Sequence, residues 1–202
     1  MDFGYTQEEE EFRQRLARFL DKELTEEIAR QNWEDKGVGP EAREFSLKLA
    51  ANGFLGLSWP EEYGGQGLPP AYDFILLDEL GKRWGAHVPL DIGYTMVGAT
   101  ILRRGSEELK KAFLPRIIRG EIEFSLGYTE PNAGSDAASL TTRYRDEGDH
   151  WRLDGAKAWI TNGEVGRFFI CLATRDPALG PKGISSFILD AEQDGVVFDP
   201  PE

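Results

Sequence analysis

The sequence of 202 residues contains one cysteine, two histidines and no excess of basic residues. With Cys171 alone, no intrachain disulfide can form and no cysteine-rich metal site exists. His87 and His150 stand far apart, and neither has a partner at metal-ligand or catalytic-triad spacing. We therefore expect no metal site, and we interpret Cys171 as a small buried residue of a strand.

Acidic residues outnumber Lys and Arg by 36 to 23, which gives a formal net charge of −13. Nucleic-acid binding needs a basic surface, so this class of partner is not expected. No apolar run approaches the length of a membrane helix, and the first residues lack the basic and apolar regions of a secretory signal. The sequence therefore predicts a cytoplasmic protein with no membrane partner. An anionic ligand would need locally placed N–H and hydroxyl donors.

The spacing of apolar residues changes near Phe124. Before this residue apolar side chains recur every three or four positions, as in helices, and after it they alternate, as in strands. Helices followed by strands indicate an α+β protein with segregated layers. We therefore predict an all-α N-terminal domain over residues 1–123 and a mainly antiparallel β-domain over residues 124–202.

Five helices are predicted in the first part of the chain. Thr6 and Glu9 form a capping-box pattern at the start of the first helix, whose helical spacing continues to Ile28. The later helices are expected at residues 40–52, 70–85 and 89–104, and from Ser106 to an interruption or end at Pro115. The third is expected to bury Phe74, Leu77 and Leu80.

The second part of the chain is predicted to form strands separated by Gly, Asp and Pro turns. Residues 139–145 and 151–153 alternate with period two on either side of an Asp-Glu-Gly-Asp turn, which predicts a hairpin. A strand beginning at Phe124 precedes the hairpin. Further strands are expected at residues 157–161, 168–174, 183–189 and 196–199.

The most informative segment is residues 126–136, Leu-Gly-Tyr-Thr-Glu-Pro-Asn-Ala-Gly-Ser-Asp. A strand that runs into a Pro/Gly turn exposes several backbone N–H groups and lets a ligand approach closely. Such a turn, with Thr129 and Ser135 as hydroxyl donors, suits a pyrophosphate or another anion. An ordinary β-turn explains the same residues equally well, so the residues alone leave both interpretations open.

The second informative segment is residues 155–163, Gly-Ala-Lys-Ala-Trp-Ile-Thr-Asn-Gly. Period two places Trp159 and Thr161 on the same side of the predicted strand. An indole and a hydroxyl side by side can pack on a heterocycle and hydrogen-bond to it. A cross-strand aromatic residue beside an ordinary strand threonine is the plainer interpretation.

Together these segments resemble the acyl-CoA dehydrogenase family. The family pattern Thr-Glu-Pro-x-Ala-Gly-Ser-Asp matches residues 129–136, and Trp-Ile-Thr-Asn-Gly matches residues 159–163. Residues 59–67, Trp-Pro-Glu-Glu-Tyr-Gly-Gly-Gln-Gly, and the Phe-Leu-Pro…Gly-Glu run within residues 113–121 match as well. The order and separations also agree. The resemblance covers essentially the whole chain, and the combination of motifs is highly specific.

The resemblance implies FAD held between the β-domain and a C-terminal helical bundle. It places the backbone of Leu126 and Tyr128 and the hydroxyl of Thr129 at the pyrimidine edge of FAD. It places Gly134 and Ser135 at the FAD pyrophosphate. Trp159 is expected beside the isoalloxazine, and Thr161 near flavin N5 and O4. It assigns to the substrate Ser135 and, in the fourth helix, Tyr94, Met96 and Val97. Core packing of these last three is an equally open interpretation.

The implied reaction is α,β-desaturation of an acyl-CoA thioester, in which a carboxylate removes the α-proton and the β-hydrogen leaves as hydride to the flavin. The family's catalytic glutamate comes from a C-terminal helical domain without a counterpart in this sequence, so no catalytic residue is assigned. Glu130 is rejected as a substitute because the resemblance places it in the FAD-binding turn. An electron-transfer flavoprotein is the implied electron acceptor, and a homo-oligomer is the implied assembly.

Three accounts of the chain follow from the resemblance. We expect first that it is the front part of a longer dehydrogenase, because the β-domain lacks the family's last strands and would expose an unpaired edge. The second account is one piece of a split enzyme completed by another chain, and the third is a non-catalytic module that binds FAD or acyl-CoA. Flavin oxidases and N-hydroxylases share the scaffold, and the residues that distinguish them lie outside this sequence.

Overall fold

The computed structural model describes residues 4–34, 39–83, 92–163 and 165–199. The chain divides into two compact units, Met1–Glu121 and Ile122–Glu202, which we call the helical unit and the β-unit. Helices come first and the sheet lies in the second unit, so the predicted α+β fold class is confirmed. Within the described ranges, no helix has both the length and the apolarity to cross a membrane.

The first helix begins and ends at local signals. The Thr6 hydroxyl accepts from the Glu9 N–H (3.2 Å), and the Thr6 N–H donates to the Glu9 carboxylate (2.8 Å), which confirms the capping box. The helix does not continue to Ile28, because Leu24 is extended and Thr25 starts a new helix by accepting from the Ile28 N–H. The α-helices of the described residues are α1 (Gln7–Glu23), α2 (Glu26–Glu34), α3 (Pro40–Ala51), α4 (Ala71–Lys82), α5 (Ala99–Arg104) and α6 (Glu107–Ile118).

Helix α4 buries a different face from the one that the sequence pattern predicts. Phe74 and Leu77 are 61 % and 51 % exposed, so their predicted inward orientation is wrong, whereas Leu80 is buried. The buried face consists of Tyr72, Ile75, Leu76, Glu79 and Leu80. Because α4 carries apolar residues on both sides, periodicity alone does not identify the inner side, which includes a charged glutamate.

The fourth and fifth predicted helices also differ from expectation. In the fourth, a π-helix, Ile92–Gly98, leads into α5. Its predicted start at residues 89–91 lies outside the described residues, and so does Gly85, the predicted end of the third helix. Pro115 lies inside α6 instead of ending it. Burial of Ile117 and Ile118 holds the last turn in place despite the hydrogen bond that proline cannot donate.

Residues 54–68 follow an irregular path between α3 and α4, with a 3₁₀ turn at Glu61–Tyr63. This segment places Trp59 in the core of the helical unit, where its ring stacks on Tyr94 with centroids 4.8 Å apart and planes 8° apart. The indole edge lies against Gly98, and a Cβ atom at that position would overlap the ring. Trp59, Tyr94 and Gly98 therefore form a packed cluster that requires glycine.

We expect Gly98→Ala to lower the free energy of unfolding by about 1–2 kcal/mol. Gly98 has helical φ and ψ (−60° and −44°), so alanine by itself would stabilise the backbone by up to about 1 kcal/mol. Overpacking against the clamped Trp59 ring costs about 1–3 kcal/mol and reverses the sign. Gly81→Ala in α4 is the matched control, because nothing lies within 4 Å of its added Cβ.

Urea denaturation at neutral pH measures the free energy of unfolding of both variants. Gly81→Ala should stabilise the protein by roughly 0.5–1 kcal/mol. Equal stabilisation by the two alanines would show that the Trp59 ring moves aside without cost.

The β-unit is a five-stranded mixed sheet built around its fourth strand. The strands are β1 (Phe124–Gly127), β2 (Arg143–Asp146), β3 (Trp151–Asp154), β4 (Phe168–Thr174) and β5 (Ile184–Asp190). On one edge β4 pairs antiparallel with β5 over its whole length; on the other it pairs in parallel, first with β1 and then, at Arg143↔Thr174, with β2. β2 and β3 form an antiparallel hairpin, and antiparallel residue pairs outnumber parallel ones.

The predicted strands at 168–174 and 183–189 are confirmed as β4 and β5 within one residue, but three other strand predictions need correction. β2 begins at Arg143 rather than 139, because residues 137–139 form a 3₁₀ turn. Residues 157–161 and 196–199 are not strands. In the second case Val196 bonds back to Gln193 across a turn, and Phe198 packs its ring on Phe169 instead of joining the ladder.

Candidate functional site

The segment 128–142 is a loop that leaves and rejoins the same edge of β4. It leaves β1 after Gly127, which pairs with Cys171, and returns at Thr142, whose carbonyl accepts from the Thr174 N–H (2.8 Å). Both ends of the loop are therefore only a few residues apart along β4. The sheet anchors the loop firmly, and its middle is available for binding.

The carboxylate of Glu130 closes this loop from inside. The Glu130 and Ala133 backbones exchange two hydrogen bonds (2.9 and 3.1 Å), which form the turn. The Glu130 side chain is buried within the β-unit. Its carboxylate accepts from the N–H and hydroxyl of Thr141 (both 2.7 Å) and from the N–H of Thr142 (2.9 Å). This is also why Thr141 and Thr142 do not extend β2: their N–H groups turn to Glu130 instead of to a neighbouring strand.

Lys157 completes the surroundings of Glu130. Its ammonium lies 2.8 Å from the Glu130 carboxylate, and the two side chains are only 8 % and 3 % exposed. Burial opposes ionisation of Glu130, but Lys157 and the donors of Thr141 and Thr142 outweigh it and lower the pKa of Glu130 to about 2. A carboxylate in this state does not act as a base at neutral pH.

The two segments singled out in the sequence are neighbours in the β-unit. The Ala158 N–H donates to the Thr129 carbonyl (2.9 Å), and the Lys157 ammonium lies 3.5 Å from the Tyr128 carbonyl. The backbone before Trp159 is therefore tied directly to the backbone of the Tyr128–Glu130 turn. The structure brings together the segments that were expected to share one surface.

Trp159 does not lie in a strand, so the prediction that it shares a strand face with Thr161 is wrong. Its φ of 57° is left-handed, as is that of Asn162 (60°), and these two residues turn the chain repeatedly. The turned segment is held by the Ser125 hydroxyl, which donates to the Asn162 carbonyl (2.7 Å). The Trp159 side chain in this segment is 75 % exposed, which is unusual for an indole on a strained backbone.

Several donors of these two segments are not bonded to any residue that the structure describes. In the described part of the chain, no hydrogen bond is found for the hydroxyls of Ser135 and Thr161, the indole N–H of Trp159, or the backbone N–H groups of Gly134 and Ser135. Nothing lies within 4 Å of the position that a Cβ on Gly134 would take. This donor set, with an exposed aromatic ring, fits a ligand that combines a heterocycle with phosphate groups.

Comparison with protein families gives the same assignment for both units. Residues 6–121 match the model of the acyl-CoA dehydrogenase N-terminal domain, and residues 125–202 match that of the acyl-CoA dehydrogenase middle domain. The chain belongs to the acyl-CoA dehydrogenase family.

Relatives of this acyl-CoA dehydrogenase family member are longer proteins. It is 36 % identical over 196 residues to 3-(aryl)acrylate reductase of Clostridium sporogenes, covering 96 % of this chain and 51 % of that protein. It is 36 % identical over 201 residues to the probable acyl-CoA dehydrogenase fadE25 of Mycobacterium bovis, covering 99 % and 50 %. The ChsE4–ChsE5 complex from Mycobacterium tuberculosis is similar in structure, with a TM-score of 0.81 and 33 % identity, covering 96 % of this chain and 49 % of that chain. The chain spans about half the length of the curated relatives it matches.

The three residues predicted to line an acyl pocket lie in the helical unit. Tyr94 is buried; its hydroxyl accepts from the Gly56 N–H and donates to the Asp73 carboxylate, both at 3.0 Å. Burial and the nearby Asp73 raise the pKa of Tyr94. Val97 is also buried, whereas Met96 is 44 % exposed. Tyr94 and Val97 thus pack in the core, and the substrate role of all three residues stays a prediction.

Two polar residues that the sequence analysis did not identify support the candidate site of this family member. Lys157 neutralises Glu130, and Ser125 holds the turn after Trp159. A lysine among apolar neighbours at residues 156–160, just before a family motif, was the available signal. A serine inside an apolar strand gives no such signal, because its partner lies 37 residues away.

Proposed function

We propose that this chain provides the FAD-binding front half of a flavin-dependent acyl-CoA dehydrogenase, an oxidoreductase that introduces a double bond between the α and β carbons of an acyl-CoA thioester. One observation carries the proposal. The Thr129 turn and the Trp159 turn are hydrogen-bonded to each other, and they carry an exposed indole and several donors that have no partner among the described residues.

Each group of the two segments has a role in this proposal. The backbone of Leu126 and Tyr128 and the Thr129 hydroxyl serve the flavin's pyrimidine edge, and the N–H groups of Gly134 and Ser135 serve the pyrophosphate. Trp159 packs beside the isoalloxazine, with Thr161 near N5 and O4. FAD, when bound, supplies the two-electron acceptor for the desaturation. Since the chain has a net charge of −13, these local donors offset an otherwise repulsive background for the anion.

The catalytic base is assigned to the part of the relatives that this chain does not match. Glu130 is the signature carboxylate that was weighed as a substitute base, but the buried ion pair and three further donors saturate it. An ionised carboxylate accepts about four hydrogen bonds, so Glu130 has no free lone pair for a substrate proton. This supports the rejection of Glu130 made from the sequence.

Acyl-CoA is the proposed substrate, an electron-transfer flavoprotein the proposed electron acceptor, and a homo-oligomer or a complementing chain the proposed assembly. The resemblance to the ChsE4–ChsE5 complex supports a complementing chain as one form of this proposal. The name of the Clostridium sporogenes relative supports testing the reverse direction, reduction of an α,β-unsaturated acid derivative.

The first test is an absorption and titration experiment on the native protein, purified with any polypeptide that accompanies it. We expect a bound-flavin spectrum and, under anaerobic conditions, bleaching of the flavin band when an acyl-CoA is added. A mass measurement then separates a longer native chain from a co-purifying second polypeptide. A correctly folded protein that neither contains nor takes up FAD would refute the proposal.

Trp159→Leu should weaken FAD binding by roughly 3- to 10-fold, because an aromatic contact contributes about 0.5–1.5 kcal/mol beyond its buried area. Flavin fluorescence titration measures the dissociation constant. Trp151→Leu is the matched control, since Trp151 is a half-exposed tryptophan of the same unit that packs on Tyr144 and Phe187 instead. Equal losses in the two variants would contradict the place assigned to Trp159.

A further inference from the structure

Glu130 and Lys157 bond to backbone in both segments of the candidate FAD site, and both side chains are buried. Through its own backbone Glu130 closes the turn with Ala133, and through its carboxylate it holds Thr141 and Thr142. Lys157 reaches from the following segment to that same carboxylate (2.8 Å). The pair therefore lies behind the binding surface and connects its parts.

We infer that Glu130 and Lys157 are a positioning pair that sets the relative placement of the Thr129 turn and the Trp159 turn for the flavin. The inference rests on the proposed FAD-binding function and adds two residues to it. Neither residue contacts the cofactor. Their effect passes through the Tyr128 and Thr129 carbonyls, which accept from Lys157 and from the adjacent Ala158 N–H.

The geometry explains why a charged pair serves this purpose better than apolar packing. A saturated carboxylate fixes four donors from two chain segments in direction as well as distance, and an apolar cluster does not. The Trp159 turn has no ladder partner of its own, because residues 157–161 are not a strand. Without Lys157, its attachment to the Thr129 turn would depend on the Ala158 hydrogen bond.

Charge gives a second reason. A ligand pyrophosphate bound at Gly134 and Ser135 lies in the same loop as Glu130, and an unpaired carboxylate there would repel it. Lys157 neutralises Glu130, and the backbone N–H groups of Gly134 and Ser135 stay available to the anion. Loss of Lys157 therefore both loosens the loop and adds a negative charge close to the anion.

The experiment compares Lys157→Met, Lys157→Arg and the double variant E130Q/K157M in the native holoprotein. We expect Lys157→Met to raise the dissociation constant for FAD about 10- to 100-fold, the range seen when the shell supporting a bound group is lost. Lys157→Arg, which keeps the charge, should restore most of the affinity. The double variant leaves no buried charge unpaired, so it can be measured even if Lys157→Met does not fold. It should still bind FAD more weakly than the wild type.

Hydrogen exchange on the protein without FAD gives a second readout. In the double variant E130Q/K157M, which leaves no buried charge unpaired, a positioning role predicts that exchange accelerates more in residues 126–130 and 156–161 than in the rest of the β-unit. A purely structural role predicts an equal acceleration across the β-unit. Phe187→Leu, in the aromatic cluster of Tyr144 and Trp151, is the control for general destabilisation and should leave FAD affinity unchanged.

The outcomes separate this inference from the proposed function. If the wild type binds FAD and the folded variants bind it equally well with unchanged exchange in the two segments, the positioning role is wrong and the FAD site stands. If the wild type does not bind FAD, the proposed function fails first.

Discussion

Lys157→Met is expected to lower the free energy of unfolding by about 3–5 kcal/mol, the largest effect of any substitution considered for this chain. The reason is the state in which it leaves Glu130. That carboxylate is 97 % buried as a side chain, and its remaining donors are two backbone N–H groups and one hydroxyl, all neutral. Urea denaturation of the β-unit, followed by tryptophan fluorescence, measures the loss.

The pH dependence of stability gives an independent check. The pKa of Glu130 is lowered to about 2 from an ordinary value of 4.5, so the pair contributes its full stabilisation above pH 4.5. The contribution is lost as the pH falls from 4.5 towards 2. The stability difference between wild type and Glu130→Gln should therefore shrink across this window.

The exposed pair of Arg152 and Asp154 provides the control for the Lys157 prediction. Its side chains are 57 % and 48 % exposed, so Arg152→Met should change stability by less than about 1 kcal/mol. A loss for Lys157→Met as small as the loss for Arg152→Met would show that water or a rotated side chain compensates Glu130. The idea of a buried, unreplaceable partner would then have to be abandoned.

Glu79→Gln should destabilise the helical unit by about 3 kcal/mol, at the low end of the range for breaking a buried ion pair. The Glu79 side chain is only 2 % exposed and accepts from Arg13 (3.1 Å), Lys82 (3.0 Å) and Arg83 (2.6 Å). It therefore joins α1 to α4. The estimate is at the low end because each cation retains a second acidic partner: Glu10, Asp78 and Asp21.

Burial opposes ionisation of Glu79, but the three cations prevail and lower its pKa to about 2. Its stabilising contribution is therefore also present above pH 4.5 and lost towards pH 2. Glu62→Gln, at an exposed position in the same unit, is the matched control and should change stability by less than about 0.5 kcal/mol. If Glu79→Gln loses as little stability as this control in thermal and urea denaturation, the charge of Glu79 is not needed to hold α1 against α4.

Local patterns in the sequence predicted a large part of this fold. The capping box at Thr6 and Glu9 depends on residues three positions apart, and the alternation in the β2–β3 hairpin depends on residues close in the chain, so both can be recognised without a structure. The order of helices and then strands required only the change of period near Phe124. The two segments of the candidate site were recognisable for the same reason, since each is short and continuous.

What failed were the predictions that depend on long-range partners. The inner face of α4 was mispredicted because Glu79 is buried by Arg13, which is 66 residues away. Residues 157–161 have the alternation of a strand, but their backbone bonds to the Thr129 turn and Trp159 adopts a left-handed conformation. Periodicity describes which residues could share a face and carries no information about whether a neighbouring strand exists.

The sequence by itself determined the order of the two units, the family to which the chain belongs and the residue types of the candidate site. Only the tertiary structure decided that Glu130 is a saturated structural acceptor, that Lys157 is its partner 27 residues away, and that Tyr94 packs in a core. The physical reason is that burial and ion pairing depend on which distant segments meet when the chain folds. Helix caps and turns, by contrast, depend on residues that are already adjacent.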